Sequence, residues 1–365
     1  MEKVCHISTV HNAFDGRIFH KQCCSLSDAG YDVFLVVTHT KDETVNGVKI
    51  RALSPSKNRL HRILIKSWSA FFKSLKTKSK IYHFHDPELM FVGVLLKVLG
   101  KKVIFDSHEN VAHQIETKEW LGSKSVRKIV KNVYRLIEKF NILFFNRVIS
   151  VTPEIVQVLS AKKGVLIRNY PIISKIDDAL PIKKNNDKLT FIYVGGLTRI
   201  RGIKEVCESV KEFPNELQLF LVGNWESEVY QNTCLSVGKN IEYLGLKPLG
   251  EVYSIMKTAD VGIATLYPEK NYLNSLPIKA FEYMACGLPI IMSNFPYWIK
   301  EFKNNSLFVN PNKIDEIKKA IVWLKNNKDE RLKMGQTGKK EVKEKYSWEA
   351  EAKTLIKMYD ELSGK

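Results

Sequence analysis

The feature that most constrains the fold of this sequence is an alternation of short apolar runs and longer amphipathic segments, which occurs twice along the chain. In the first half a helix is predicted over 18–29, between the first two strands. Alternating strands and helices are typical of a parallel, doubly wound sheet, so residues 1–173 are predicted to form a Rossmann-like α/β domain. The strands predicted in this half are 3–8, 32–38, 81–84, 102–105, 147–151 and 165–167.

A polar stretch interrupts the alternation and predicts an interdomain linker over 174–188. The pattern then resumes and predicts a second Rossmann-like domain over 189–346. The tail over 347–365 is amphipathic and is predicted to be a helix, which can cap the second domain. The strands predicted in the second half are 190–194, 218–222, 241–243, 261–264 and 289–292, and the helices are 203–213, 249–257, 279–285 and 314–325.

Composition limits the classes of protein that the chain can belong to. Of its 365 residues, 44% are hydrophobic and 26% are charged, which is a globular composition. The start lacks the pattern of a signal peptide, and no apolar run has the length of a membrane span, so a cytoplasmic location is expected. The six cysteines form no CxxC pair and no zinc-like cluster, so they are predicted to be reduced thiols.

The net charge of +18 is concentrated in the first half. Residues 1–173 hold 28 Lys and Arg against 14 Asp and Glu, whereas the remainder holds 29 against 25. Such a positive field attracts polyanions, which include nucleic acid, anionic lipid headgroups and phosphorylated ligands. Within this half, Arg59–Lys80 combines many basic residues, no acidic ones and three aromatic residues. That pattern is typical of an interfacial amphipathic helix, although a solvated basic helix would look similar.

Polar residues follow several predicted strands of the first half. Asp15, Gly16 and Arg17 lie between the first strand and a helix, where free backbone N–H groups can bind an anion, although an ordinary turn is an equal alternative. The absence of a GxGxxG pattern argues against an NAD-binding domain. His85 and Asp86 follow a later strand, at the edge where open α/β sheets bind ligands. A metal site there is disfavoured because Pro87 imposes a turn.

The next strand leads into Asp106, His108 and Glu109, and therefore to the same edge of the sheet. A histidine flanked by carboxylates can be oriented by them and can donate hydrogen bonds to sugar hydroxyls. Asp106 can instead serve as a helix N-cap. The pair of motifs therefore indicates a polar ligand at this edge.

In the second half, Gly195 and Gly196 open a turn that also carries Arg199 and Arg201. Small residues let a ligand approach the backbone, and an arginine can bind a pyrophosphate through the paired N–H donors of its guanidinium. A solvated basic turn is the alternative.

A later helix places Lys279 and Glu282 on one face at i, i+3. A carboxylate in such a position can accept hydrogen bonds from both ribose hydroxyls, as in other dinucleotide folds. The alternative for this pair is a surface ion pair.

Taken in order, these segments resemble the retaining glycosyltransferases of family 4, which have the GT-B fold. The segment FEYMACGLP over 281–289 is similar to the family signature EAMACGxPV, and its position after VGGLTRIRG over 194–202 is specific. The resemblance implies that Gly16 lies near the diphosphate and that His108 contacts the transferred sugar. It also implies that Arg201 binds the donor phosphates and that Glu282 binds the ribose.

Two departures from the family pattern concern donor recognition. The family usually has Arg where this chain has Gly196, so Arg199 is expected to supply that charge. The first glutamate of the family's E-x7-E motif falls on Asn274, and Lys279 is expected to compensate for it.

The resemblance further implies a retaining hexosyltransferase that needs no metal and no cofactor besides a nucleotide-sugar donor, with UDP weakly preferred. Its acceptor would be a lipid-diphosphate-linked glycan in capsule or O-antigen assembly, bound by the first domain. Asp15, Arg17, His85, Asp86 and Glu109 are the acceptor-side candidates. The C-terminal helix would return to the first domain. Arg59–Lys80 would hold the enzyme on the anionic inner face of the cell membrane.

Two other functions compete with this interpretation. A sugar-nucleotide epimerase of the same two-domain build would bind a similar donor but would need catalytic carboxylates and no acceptor. A nucleic-acid-binding protein would use the basic half, but the chain lacks RNP-type aromatic motifs and a helix-turn-helix. The FEYMACGLP segment favours the transferase.

Overall fold

The structure is a computed structural model that describes residues 1–107, 111–117, 121–153, 156–157, 162–184, 187–269, 272–273 and 275–364. The chain divides into two compact units. Unit 1 comprises Met1–Asn169 together with Trp348–Lys365, and unit 2 comprises Tyr170–Ser347. No described helix combines the length and the apolar character that crossing a membrane requires.

The sheet of unit 1 has eight strands in the order β3-β4-β2-β1-β5-β6-β7-β8. All neighbours are parallel except the pair β3 and β4. Several strands are buried on both faces, which is typical of a parallel sheet covered by helices. The strands are β1 (Lys3–Asn12), β2 (Asp32–Thr38), β3 (Glu43–Val45), β4 (Val48–Leu53), β5 (Ile81–Phe84), β6 (Lys102–Ser107), β7 (Arg147–Ser150) and β8 (Gly164–Leu166).

The antiparallel hairpin of β3 and β4 turns at Asn46 and Gly47, whose φ angles of 49° and 75° are both positive. An Asn-Gly pair favours this tight hairpin turn because both residues tolerate the left-handed region. These two strands were not predicted from the sequence, although the Asn-Gly signal was present.

Helices cover both faces of the sheet in unit 1. The helices are α1 (Cys24–Asp28), which continues a π-helical turn over Ile18–Cys23, α2 (Arg59–His61), α3 (Ser67–Lys76), α4 (Met90–Val98), α5 (Val111–Thr117) and α6 (Lys124–Ile142). A π-helical turn over Arg62–Lys66 joins α2 to α3. Helices α3, α4 and α6 contribute to one apolar core with the side chains of Cys5, Ile7 and Phe84.

Unit 2 repeats the architecture with six parallel strands in the order β11-β10-β9-β12-β13-β14. The strands are β9 (Leu189–Val194), β10 (Leu217–Val222), β11 (Ile241–Gly245), β12 (Val261–Ala264), β13 (Ile290–Ser293) and β14 (Ser306–Val309). The helices are α7 (Ile173–Asp178), α8 (Ile203–Val210), α9 (Glu228–Leu235), α10 (Leu249–Thr258), α11 (Ile278–Ala285), α12 (Pro296–Phe302), α13 (Ile314–Asn326) and α14 (Lys328–Lys345).

The predicted linker over 174–188 is wrong in its first part. Helix α7 occupies that stretch, and its Ile173 and Ile176 are buried in the core of unit 2 together with Tyr170. Isoleucines at i, i+3 give the segment an apolar face, which a search for polar residues overlooked.

The last helix, α15 (Trp348–Ser363), packs in unit 1 and not in unit 2. The Trp348 indole N–H donates to Ser25 Oγ at 2.9 Å, and Tyr31 donates its hydroxyl to Asp360 at 2.5 Å. The tail therefore returns to the first domain, as the resemblance implies.

Candidate functional site

The strand order of unit 2 reverses at β9, which lies between β10 and β12. Doubly wound sheets bind ligands outside the carboxyl ends of the strands at this switch point. Strand β9 ends at Val194, so Gly195 and Gly196 begin the loop at that edge.

Two glycines bring the loop close to the end of β10. The Gly195 N–H donates to Val222 O at 2.9 Å. A Cβ on Gly223 would lie 2.0 Å from Gly195 O, and Gly223 has a φ of 137°. Both observations require glycine, because a side chain would force the two loops apart. Gly223 was not among the residues predicted from the sequence, although its place directly after a strand could have indicated it.

The turn over Arg199–Arg201 is anchored by the loop that follows β12. Thr265 Oγ1 donates to Arg201 O at 2.8 Å, and the Tyr267 N–H donates to Ile200 O at 2.7 Å. The Arg201 guanidinium donates to the Tyr193 hydroxyl at 3.3 Å. Its Nε lies 3.8 Å from the position that a Cβ on Gly196 would take. Arg201 therefore lies beside the glycine loop.

Lys279, in the first turn of α11, brings a second cation to the same loop. Its Nζ lies 2.9 Å from the position of a Cβ on Gly195 and 3.8 Å from the centroid of the Tyr193 ring. The residue is half-buried, but Nζ itself is buried and has no hydrogen-bond partner among the described residues. Burial lowers the pKa of this ammonium well below its usual value; Arg201 lowers it further, and Glu282 opposes the shift.

Glu282 lies one turn along α11 from Lys279 and accepts a hydrogen bond from the Tyr253 hydroxyl at 3.2 Å. The helix is held against β9 because the Val194 N–H donates to the Tyr283 hydroxyl at 2.9 Å. The structure thus gathers Gly195, Arg201 and Lys279 at one edge, with Glu282 close enough to influence the pKa of Lys279.

The expectation that Arg199 supplies positive charge next to Gly196 is not what the structure shows. The Arg199 guanidinium is exposed, pairs with Glu226 at 2.5 Å and lies over the Tyr230 ring at 4.7 Å. Because Glu226 already balances its charge, the second cation beside the loop is Lys279.

In unit 1, the Asp15 carboxylate binds backbone N–H groups of the loop that was predicted to bind an anion. Its Oδ1 accepts the N–H groups of Arg17 and Ile18, both at 2.8 Å, and its Oδ2 lies 3.3 Å from His11 Nδ1. Burial opposes ionisation of Asp15, but the hydrogen bonds from His11, Ile18 and Arg17 hold its pKa well below the usual range. The carboxylate of Asp15 therefore occupies donors that an external anion would need. Gly16 is exposed beside it, with open space around its Cα.

Arg17 is a buried structural residue, which corrects its assignment to the acceptor side. Its Nε and Nη2 donate to the two oxygens of Asp106, both at 3.0 Å, and Nη1 donates to Ile167 O at 3.2 Å. The Gln22 amide also donates to Asp106 at 2.7 Å. All of these groups are buried, so Arg17 compensates the Asp106 charge inside the domain.

His85 is also buried and is therefore not an acceptor contact in this structure. Its Nε2 lies 3.0 Å from His6 Nδ1, and its Nδ1 lies 3.3 Å from Asp106. His6 Nε2 in turn lies 3.1 Å from the Tyr359 hydroxyl, which lies 2.9 Å from His83 Nδ1. Burial lowers the pKa of both His6 and His83 well below the usual value.

Three buried histidines, His6, His83 and His85, also have the residue type and spacing of a transition-metal site. One nitrogen from each of His6, His83 and His85 lies within 4.8 Å of the others. Both nitrogens of His6 already contact His85 and Tyr359. A metal ion at this position would have to displace those contacts.

Asp86 lies at the predicted edge but is also buried. Its Oδ2 accepts from the Thr9 N–H at 2.6 Å and from the Ser8 hydroxyl at 2.9 Å. Asp86 therefore holds the end of β1, and its assignment to the acceptor side is corrected in the same way. His108, Glu109 and Asn274 lie outside the described residues.

Two doubly wound domains in series, with a C-terminal helix that packs on the first, have the architecture of the GT-B fold. Sucrose-phosphate synthase from Thermosynechococcus elongatus has a similar structure, with a TM-score of 0.75, 18% identity and full coverage of both chains. Anabaena HepE in complex with UDP and glucose has a TM-score of 0.73 and 9% identity, over 99% of this chain and 100% of that chain.

At the level of sequence, residues 175–341 match the family model described as glycosyl transferases group 1. An uncharacterized glycosyltransferase of Methanocaldococcus jannaschii is 22% identical over 327 residues, which are 82% of this chain and 79% of the relative. The fold, the family model and the relative together support a glycosyltransferase of the GT-B superfamily.

Proposed function

We propose that the protein transfers a hexose from a nucleotide-sugar donor, with UDP as the preferred nucleotide, to a lipid-diphosphate-linked glycan and retains the anomeric configuration. Capsule or O-antigen assembly is the proposed setting. One observation supports the donor part: the buried Nζ of Lys279 has no hydrogen-bond partner within the described ranges of the chain and lies beside Gly195 and Arg201. A buried cation of this kind is costly unless an anion compensates it.

The proposed roles follow from the chemistry of the group that leaves. Breaking the bond between sugar and diphosphate places negative charge on the diphosphate, and cations already held nearby stabilise that charge without reorganising. Lys279 and Arg201 would donate to the diphosphate beside the Gly195 loop. Glu282 would accept hydrogen bonds from the ribose hydroxyls. These hydroxyls would compete with the Tyr253 hydroxyl, which donates to the same carboxylate.

Retention and metal independence belong to the same proposal. Two protein cations would neutralise the diphosphate, which is the role that a divalent cation plays in many phosphate sites. The acceptor hydroxyl would attack from the face that the diphosphate leaves, and the leaving phosphate would take its proton. His108 would contact the transferred sugar, as the resemblance implies.

The proposed acceptor glycan is linked to a lipid, and the proposed location is therefore the inner face of the cell membrane. Support comes from Arg59–Lys80, where Leu60, Leu64 and Trp68 are exposed beside basic residues. Exposed apolar groups flanked by positive charge are what an anionic membrane surface attracts.

Binding of UDP by isothermal titration calorimetry tests the donor site. We expect Lys279→Met and Arg201→Gln each to weaken UDP binding about 10-fold or more, because each removes a charged hydrogen bond to phosphate. Lys239→Met, at an exposed lysine elsewhere in unit 2, is the matched control and should bind normally. Unchanged UDP affinity in both site variants would refute the proposed donor site.

The reaction is tested by incubating UDP-sugars with and without a lipid-diphosphate acceptor. A transferase consumes donor when acceptor is present and yields a product whose anomeric configuration NMR assigns as retained. An isomerised sugar nucleotide formed without acceptor would instead identify an epimerase. An Arg201→Ala, Glu282→Ala double variant that transfers sugar normally would also contradict the proposal.

A further inference from the structure

Helix α6 exposes an apolar stripe to solvent on the side that faces away from the core. Six of its side chains are between 44% and 69% exposed: Val126, Ile129, Val133, Leu136, Ile137 and Phe140. At about 100° per residue these positions form one stripe about 100° wide. The opposite side of α6 contacts the domain through Tyr134, Glu138 and Ile142. A soluble domain rarely leaves so large an apolar surface uncovered unless something binds it.

The exposed charges on α6 itself are all positive. Lys124, Lys128, Arg135 and Lys139 are exposed on α6. The helix carries a single acidic residue, Glu138, which is buried and accepts a hydrogen bond from Tyr134. The exposed part of α6 therefore combines an apolar stripe with basic side chains and presents no negative charge of its own.

A second apolar ridge lies in the same helical layer. Helices α3 and α6 both pack against α4, on the same face of the sheet. On α3, Trp68 and Phe72 are 44% and 57% exposed, and the Trp68 ring contacts Phe91 of α4 at 5.5 Å between centroids. A partner that covers a broad surface, such as a lipid bilayer, would contact both ridges.

We propose that α6 inserts its apolar stripe into an anionic lipid bilayer and is the main membrane-binding element of the chain. Charge complementarity selects this partner over a second copy of the chain, because the stripe of another copy offers exposed lysines and arginines and no carboxylate to pair with them. The inference rests on the membrane location in the proposed function but assigns it to a surface outside Arg59–Lys80.

Contacts within unit 1 explain why α6, rather than Arg59–Lys80, provides the main attraction. Arg62 pairs with Glu88 at 2.7 Å, Lys66 donates to Thr38 Oγ1 at 2.6 Å, and Lys73 donates to Ala52 O. These basic groups are already engaged in the domain and have less capacity to bind lipid headgroups. On α6, the described hydrogen bonds of this kind are those of Arg127 and Lys131, both to Glu116.

Sedimentation of the full chain with sucrose-loaded vesicles tests the proposal. Vesicles of phosphatidylcholine are compared with vesicles that also contain phosphatidylglycerol, without donor or acceptor. We expect the chain to prefer the anionic vesicles, and the triple variant Ile129→Ser, Leu136→Ser, Phe140→Ser to bind them about 100-fold more weakly. Val229→Ser, Leu332→Ser removes exposed apolar side chains from helices of unit 2 and should bind like the unmodified chain.

A charge series tests the second half of the argument. Lys128→Gln, Lys139→Gln should lower the affinity for anionic vesicles about fivefold per lysine. The control Lys239→Gln, Lys303→Gln, at exposed lysines of unit 2, should leave it unchanged.

Three outcomes would overturn the proposal. The first is equal binding of the unmodified chain to neutral and anionic vesicles, and the second is normal vesicle binding by the triple variant. The third is that the unmodified chain forms a dimer in light scattering, the triple variant is a monomer, and neither protein binds vesicles. UDP titration of each variant separates this inference from the donor site. Normal UDP binding with lost vesicle binding supports α6 as the membrane element, whereas normal vesicle binding without UDP binding refutes the proposed function alone.

Discussion

The ammonium of Lys279 lies 3.8 Å from the centroid of the Tyr193 ring, and this aromatic face partly replaces the hydrogen bonds that the buried Nζ does not make to any residue the structure describes. The Tyr193 hydroxyl accepts a hydrogen bond from Arg201 and donates one to Gly196 O at 3.2 Å. A single tyrosine of β9 therefore positions both cations and the glycine loop. Cation–π attraction contributes about 1–2 kcal/mol in a desolvated site, which is less than a charged phosphate would contribute.

The first prediction is that UDP binding takes up protons. Because the pKa of Lys279 is lowered well below its usual value, a fraction of the unliganded protein holds it neutral at alkaline pH. A bound diphosphate would favour the ammonium and raise this pKa. Calorimetry in two buffers of different ionisation enthalpy should show uptake of up to about one proton, which Lys279→Met should lack. Equal enthalpies in both buffers, across the alkaline range, would contradict the prediction.

The same group predicts how the stability of the unliganded protein depends on pH. Between the lowered folded pKa of Lys279 and about 10.4, the unfolded chain binds more protons than the folded chain, so the free energy of unfolding rises with pH in that window. Urea unfolding should show this rise in the unmodified chain relative to Lys279→Met. If the difference in the free energy of unfolding between the two proteins does not change with pH, this prediction is wrong.

The third prediction separates the hydroxyl of Tyr193 from its ring. Tyr193→Phe keeps the aromatic face under Lys279 but removes the hydrogen bonds to Arg201 and Gly196. We expect UDP binding to weaken several-fold, with a loss of about 1 kcal/mol in the free energy of unfolding. Tyr243→Phe removes a comparable hydroxyl, which donates to Gly223 O at 2.9 Å, and controls for simple loss of a hydrogen bond in this region.

Gly223 provides a test of the loop geometry. In Gly223→Ala the new Cβ would lie 2.0 Å from Gly195 O, so the glycine loop must move, and the φ of 137° adds strain. We expect destabilisation of about 2 kcal/mol or more and loss of UDP binding. Gly250→Ala adds a methyl group to α10 with nothing within 4 Å and should stabilise the protein by about 0.5–1 kcal/mol. Normal UDP affinity in Gly223→Ala would show that UDP binding does not depend on the position of the glycine loop.

The last prediction concerns Arg17, which the sequence suggested as an acceptor contact. Arg17→Met would leave the Asp106 carboxylate buried without its main partner and should lower the free energy of unfolding by about 3–5 kcal/mol. Arg51→Met, at a partly exposed arginine 3.8 Å from Asp42, should change it by less than about 1 kcal/mol. Denaturant titration of both variants distinguishes these results.

Much of the fold was predictable because the central strands are buried on both faces. The predicted bounds of β2, β5 and β12 agree with the structure, since a strand covered by helices on both sides reads as a continuous apolar run. Strand β14 and helix α14 were missed. The β14 segment is short, and α14 is strongly polar with few buried side chains, so neither carries a clear periodic signal.

The sequence by itself determined two α/β domains, the carboxyl edges where polar loops gather, and the glycine, Arg201 and α11 segments of the candidate site. Tertiary structure alone decided which side chains at those edges are available to a ligand and which are paired inside the domain. Arg17 and Asp106, which are 89 positions apart, neutralise each other inside unit 1. The Nζ of Lys279, in contrast, reaches the Gly195 loop and has no hydrogen-bond partner in the part of the chain that the structure describes. The cause is physical: local patterns specify backbone direction and burial, but the compensation of a charge depends on which distant residue the fold brings beside it.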